Sequence, residues 1–543
     1  MGVFLLFSCN LFEGFTLNLN MRKSLLPEKY HSYVYVFALV LLVVGMPLSK
    51  FLMSASQIIL FCNWALEGGL KNKLIAFKNN KAALIVSSLL LLHILGLLYT
   101  TDFDYAFKDI RIKAPLLILP LILSTSKPIS QKITDTIMKF FVGAIISGTF
   151  ISVLILAGGI HREIVDIRSV SIFISHIRFA LLICVAIFIS GYFFYNATQK
   201  GIKLVWVAIG IWLIYFLFLV DSITGLAALS MAILVIAAYA VFTSESKLIK
   251  YSSLFIVFLI GILISYFLMQ INNGIVEPEK IDFSKLEKTT SRGKAYEHDL
   301  NSKLTENGHY IWIYFCNKEL EEAWSKRSKI KFDEKDLKGN NIHFTLVRFL
   351  ASKGLRKDAD AINTLTDAEI KAVERGIVNV SYQGLSSLNG RLHQIAWELD
   401  LYNKTGDPNG HSLTQRFEFW KAAFGIIKEN FIFGVGTGDI QIAFDQQYVE
   451  MDSPLLKEWR LRSHNQYLSI TVAFGIVGLI WFLITLFYPM FLLEKNVDYL
   501  YCTFLIIALV SFLTEDTLET QAGVTFFAFF NSFFLFIFRK SET

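Results

Sequence analysis

The chain has 543 residues, 54% of them apolar and 15% aromatic, with 49 Phe and only 18% charged residues; its mean hydropathy is +0.50. That composition excludes an ordinary soluble multidomain protein, which carries about 25% charged residues, and it excludes disorder. Five Cys in this length exclude a disulfide scaffold, and the formal charge of +6 raises a polyanion partner that only the placement of the charge can decide.

In chain order, residues 1–20 are apolar with no basic segment ahead of them, and Arg22-Lys23 follow Met21. A signal peptide carries its charge before the apolar run, so the expectation is an upstream start or an interfacial segment ahead of a natural start at Met21. A bilayer core needs about 20 mostly apolar residues per helix. Runs of that kind are 33–49, 81–99, 136–158, 177–195, 203–220, 222–242, 251–271, 464–487, 499–513 and 522–538. Two more, 51–66 and 114–124, are shorter or more polar and are expected to be tilted, re-entrant or broken, with Pro115 and Pro120 bracketing the second. The pattern predicts an all-α polytopic integral membrane protein of about twelve transmembrane helices.

Orientation follows from the Lys/Arg content of short loops. With the N-terminus in the cytoplasm, alternate loops hold seventeen Lys/Arg inside and seven outside. Both termini are therefore expected inside, and the long segment 272–463 outside. The chain divides into membrane region 1–271 (about nine spans), loop 272–463, and membrane region 464–543 (three spans). The loop reads as helical. Residues 318–329 interleave Glu and Lys at helical spacing, and Leu346, Phe349 and Leu350 make one stripe. Thr366-Asp367-Ala368-Glu369 is a capping-box pattern opening a helix that Gly376 stops. An amphipathic run covers 388–402, and after the turn Asp407-Pro408-Asn409-Gly410 a helix runs from Ser412 to about Asn430.

The stretch richest in chemistry is RFEFWKAAFGIIKENFIFGVGTG from Arg416, followed by RLRSHNQYLSITVAFGIVG from Arg460. Arg416 and Trp420 share a helix face. Gly434, Gly436 and Gly438 form a bare-backbone loop that can offer N–H groups to an anion, although most glycine trios are turns. His464-Asn465 stands where the loop re-enters the bilayer, with Arg460 and Arg462 before it and Gly475 and Gly478 on the helix after it. A His at a helix start is more often a polar end residue than a catalyst.

Together, Arg-x3-Trp, Gly-x-Gly-x-Gly and His-Asn-x-Tyr-Leu leading into a Gly-x-x-Gly span resemble the O-antigen ligase family, which includes O-antigen polymerases and some protein O-oligosaccharyltransferases. The resemblance is best over about 412–540; the long insert resembles that of bacteroidete members. It implies a membrane transferase of the bacterial inner membrane. Such an enzyme moves a glycan from an undecaprenyl diphosphate carrier to lipid A–core, another lipid-linked repeat or a protein hydroxyl on the periplasmic face, without cofactor or metal. The family's essential loop arginine and histidine fall on Arg416 and His464. An imidazole suits removal of the proton from an attacking hydroxyl, and guanidinium forks suit a leaving diphosphate.

Other groups at the outside face could complete such a site. Arg178, in SHIRF, is the best placed, ahead of Arg168, His176, Arg111 and Lys113; Arg462 and the three loop glycines are further diphosphate candidates. Basic groups at span ends are usually snorkelling anchors. Asn465, Glu515 and Asp516, with Glu519, could orient His464 or bind acceptor hydroxyls, or simply cap a turn. Asp102-x-Asp104 offers a metal-site alternative, and Asp221 a helix cap. A transporter would place ionisable groups in mid-span, which these runs nearly lack. Segment 272–463 holds 27 Lys/Arg against 28 Asp/Glu, so the positive excess lies in the membrane half. It sets topology and points to the lipid bilayer as partner, with no nucleic acid.

Overall fold

The computed structural model describes residues 27–162, 164, 167–383, 388–492 and 498–538, so the reading of segment 1–20 and Met21 lies outside the described residues. Among those residues, nine helices are long and apolar enough to cross a membrane. The remaining three predicted spans are the shorter helices Lys50–Leu66, Pro115–Thr125 and Tyr499–Thr514. The protein is an all-α polytopic membrane protein whose only paired strands, among the described residues, are the two-residue Thr305–Glu306 and His309–Tyr310.

The last helix is the axis of the bundle. Within Gln521–Phe538, 94% of the residues of the apolar window are buried, against 6% for Lys247–Asn273 at the periphery. Phe504 meets Phe526, Phe527, Phe530 and Phe534 at ring separations of 5.6–6.1 Å. Rings in offset and edge-to-face contact fill this interior, which is where many of the 49 Phe go. Lipid supplies little hydrophobic drive between helices, so polar side chains add specificity. Trp64 Nε1 donates to Thr125 Oγ1 (2.8 Å), Trp212 Nε1 to Thr149 Oγ1 (2.9 Å) and Gln57 Nε2 to Thr525 Oγ1 (3.2 Å).

Segment 272–463 contributes to two cores. One, built on Trp324, Leu346, Phe349, Leu350, Ile362 and Val373, belongs to the insert alone. Its helices follow the expected pattern: Asn317–Arg327, Ile342–Ser352, and Asp367–Glu374 with the Thr366–Glu369 capping box formed. The second is the core of the membrane bundle, which Phe419, Ile426, Ile440, Phe444 and Tyr448 join. Helices Ser412–Glu429 and Ile440–Glu450 therefore pack as part of the bundle.

The expected continuous span 464–487 is broken. Within Gln466–Phe491, Gly475 has φ +64° and ψ −163°. A straight helix would part Tyr467 from Phe482 by about 22 Å, yet their rings are 5.9 Å apart. The chain turns sharply at Gly475. Segment 431–436 fills the corner: Val435 N donates to Val472 O and Gly436 N to Ala473 O, while Ile476 N donates to Phe431 O. Each strand of irregular backbone satisfies the other, the condition for irregular backbone to persist away from water.

Candidate active site

Three chain segments meet at the end of the bundle that carries the large loop: helix Ser412–Glu429, the connection into Gln466–Phe491, and the turn 515–519 before the axial helix. Helix Ser412–Glu429 presents two residues one turn apart to the other segments. The Arg416 Nη2 is 3.0 Å from Glu515 Oε1, and Trp420 Nε1 donates to the Ser463 carbonyl at 3.0 Å. The Arg-x3-Trp spacing thus links one helix face to both the acidic turn and the residue before His464.

His464 is held in a costly conformation. Its φ is +47°, a left-handed value uncommon outside glycine. Neighbouring bonds fix it there. Asn465 caps the following helix by accepting from Leu468 N (3.1 Å), and its amide donates to Leu513 O (3.0 Å). Ser463 Oγ bonds Asn465 O and Ser469 Oγ, both at 2.9 Å. The imidazole packs 5.7 Å from the Phe419 ring, with Nδ1 3.5 Å from Asp516 Oδ1. That separation is long for a hydrogen bond but sets the carboxylate on the Nδ1 side of the ring.

Burial pushes the Glu515 carboxyl above its usual range, against the pull of Arg416 and His464. Burial acts the same way on Asp516, but His464 beside it and the Arg462 charge outweigh burial and hold its carboxyl below the usual range. Two neighbouring carboxyls are thus driven in opposite directions, a feature associated with functional sites. Arg462 Nη1 lies 3.3 Å from Glu519 Oε2, and its guanidinium sits 5.5 Å from the Tyr105 ring centre. Arg178 donates to Ser175 Oγ (3.3 Å) and stands within electrostatic reach of Glu515 and Asp516. The Nε atoms of Arg178 and Arg416 are buried and have no acceptor among the described residues. Buried donors without an acceptor are rare and call for one.

Thus His464, Asn465, Arg416, Arg462, Arg178, Glu515 and Asp516 come together. The loop glycines do not join them as donors. Gly434 N bonds Asn430 O, Gly436 N bonds Ala473 O and Gly438 N bonds Thr100 Oγ1, so the expected anion cradle has its N–H groups engaged inside the fold. A Cβ on Gly434 would lie 2.4 Å from the Ala473 carbonyl carbon. These glycines let the loop approach the Gly475 corner.

Other expectations also resolve. Asp102 caps helix Phe103–Lys113 by accepting from Tyr105 N (2.9 Å), and the cap of Ile223–Thr243 is Ser222, where Asp221 was expected. Sequence reasoning placed Lys113 as a membrane anchor or diphosphate contact. It is fully buried and bridges Asp109 (2.5 Å) and Glu519 (3.0 Å).

His464, Glu515 and Asp516 each offer one ligand atom, all within 4.8 Å of one another, as a metal site would require. Arg416 already pairs Glu515, and the Arg178 and Arg462 charges act on the same turn. The negative charge that would draw a divalent cation is balanced by guanidinium groups.

A family model described as O-Antigen ligase matches residues 372–483, the stretch holding Arg416, Trp420, Arg462, His464 and the Gly475 corner. Among curated proteins none matches the chain. Over residues 372–483 the chain is similar to the O-antigen ligase family, and that similarity supports a membrane glycosyltransferase of the ligase and polymerase type.

Proposed function

We propose that the protein transfers a glycan from undecaprenyl diphosphate to an acceptor hydroxyl at the periplasmic face of the bacterial inner membrane, with lipid A–core as the acceptor, in O-antigen ligation. The observation that carries this reading is the setting of His464. Its Nδ1 faces Asp516, an arrangement that favours the Nδ1–H tautomer and leaves the Nε2 lone pair for a substrate proton. The acceptor oxygen attacks the anomeric carbon and its proton passes to Nε2. The bond from that carbon to the diphosphate oxygen breaks as the new glycosidic bond forms. Asp516 balances the imidazolium, while Arg416, Arg462 and Arg178 take the charge gained by the departing lipid diphosphate. Glu515 occupies Arg416 until the diphosphate competes for it.

Deleting the gene and examining surface glycans tests the reaction. Loss of long-chain lipopolysaccharide, with finished polymer accumulating on the lipid carrier, is the ligase result. A single-repeat cap would assign polymerisation instead, and loss of glycan from periplasmic proteins would assign protein transfer. Unchanged glycans would refute all three.

A further inference from the structure

Behind the Arg462 side chain lies a closed set of charges drawn from three distant parts of the chain. Asp109 and Lys113 stand one turn apart on Phe103–Lys113, Glu519 ends the turn Thr517–Glu519, and Arg462 precedes His464. Lys113 Nζ reaches Asp109 at 2.5 Å and Glu519 Oε2 at 3.0 Å; the same Oε2 meets Arg462 Nη1 at 3.3 Å. Glu519 Oε1 accepts from Gln466 Nε2 (3.3 Å), whose own oxygen accepts from Leu518 N (2.7 Å). His93 Nδ1 lies 3.2 Å from Asp109 on its other oxygen. Two carboxylates thus face two permanent partners of opposite sign.

The two cations are not equivalent. The Lys113 side chain has no exposed surface and touches both carboxylates, whereas Arg462 is 20% exposed and holds Glu519 by the longest of these contacts. A buried carboxylate with a single cation would hold it tightly, because release would strand an unpaired charge. With Lys113 on the same oxygen, Glu519 keeps a cationic partner, shared with Asp109, when Arg462 leaves it. We propose that Lys113 is a positioning residue: it is the standing counter-ion of Glu519 and so lets Arg462 exchange that carboxylate for the diphosphate of the lipid-linked donor. This rests on the diphosphate reading of Arg462 given above. It assigns Lys113, Asp109 and Glu519 the task of setting how readily the arginine is released.

The test uses the full chain in nanodiscs and undecaprenyl diphosphate as the probe, with binding measured by titration and folding by thermal unfolding. The double variant Asp109→Asn/Lys113→Met removes one neutral ion pair and leaves Glu519 to Arg462 alone. Affinity is expected to fall about tenfold, the scale of one charge-assisted hydrogen bond. Adding Glu519→Gln frees Arg462 again and is expected to restore affinity to within about threefold of wild type. In the otherwise intact protein, Glu519→Gln alone is expected to bind the probe as tightly as wild type or more tightly. A purely structural role predicts the opposite for both Glu519 substitutions, with affinity falling together with stability.

The inference is overturned if the double variant binds like wild type, if the triple variant binds no better than the double, or if Glu519→Gln alone weakens binding tenfold. The last comparison stands even where the double variant does not fold. Failure of the wild-type protein to bind undecaprenyl diphosphate would instead remove the diphosphate reading, and this inference with it.

Discussion

Gly475→Ala is the sharpest probe of how the site is built. Alanine would have to adopt φ +64° and ψ −163°, a region essentially confined to glycine that costs about 1–3 kcal/mol for other residues. Its Cβ would also lie 2.2 Å from Ile432 O and 2.5 Å from Phe433 N, both backbone atoms of the loop that fills the corner. Relief requires that loop to withdraw, which breaks bonds such as Ile476 N to Phe431 O (2.8 Å) and Gly436 N to Ala473 O (2.8 Å). Each buried donor left unpaired costs about 1–3 kcal/mol. Strain and two lost bonds together come to about 5 kcal/mol, in the range reached only by substitutions with a specific structural cause. In detergent, tryptophan-monitored thermal unfolding of this 543-residue chain should show a fall of roughly 4 °C, or the protein should fail to accumulate. Gly143→Ala is the control: nothing lies within 4 Å of the added Cβ, and a mid-helix Gly-to-Ala change stabilises by about 0.5–1 kcal/mol. A Gly475→Ala protein that melts within about 2 °C of wild type would refute the corner as a locked element.

Three further outcomes follow from the same geometry. Asp516→Asn keeps the shape beside His464 but removes the charge that balances the imidazolium, so kcat should fall about 100-fold with little change in donor KM; a change confined to KM would contradict that role. Transfer should survive chelation by EDTA, whereas loss of activity restored by Mg²⁺ or Mn²⁺ would make His464, Glu515 and Asp516 a metal site after all. Burial and the Arg348 charge push His411, at the start of Ser412–Glu429, down to about 4 from an ordinary 6.5. A depressed imidazole contributes stability that is complete above its unfolded value of about 6.5 and is lost as pH falls towards about 4. After allowance for partial exposure this amounts to about 2 kcal/mol. His411→Phe should flatten the decline in melting temperature between pH 7 and 5, and an unchanged slope would contradict the assignment.

Much of the architecture was readable because bilayer thickness fixes the length of an apolar run, and all twelve predicted runs are helical in the structure, one of them broken at Gly475. The site was partly readable for a related reason: Arg416, Arg462 and His464 are residue types with recognisable chemistry at a membrane entry. The glycines illustrate the limit. A glycine trio announces that something comes close to the backbone, but the sequence does not say whether an anion or another chain segment approaches; here it is the broken helix at Gly475. Asp109 and Lys113 illustrate another. Spaced i,i+4 on a helix of mixed polarity, they look like a surface pair, and what buries them is a contact with Glu519 406 residues away. Local periodicity carries no record of such a contact. The break in the last loop-entry span was hidden likewise, since Gly-x-x-Gly reads as close packing as readily as it reads as a corner.

In the proposed mechanism His464 takes the acceptor proton while the arginines hold the diphosphate. Proteoliposomes containing His464→Ala or Arg416→Ala protein, supplied with lipid-linked glycan and acceptor, separate the two roles when turnover and undecaprenyl diphosphate binding are read together. His464→Ala should bind the lipid diphosphate like wild type and lose transfer by about 100-fold or more, while Arg416→Ala should lose both. Undiminished transfer by a correctly inserted His464→Ala protein would rule out His464 as the base.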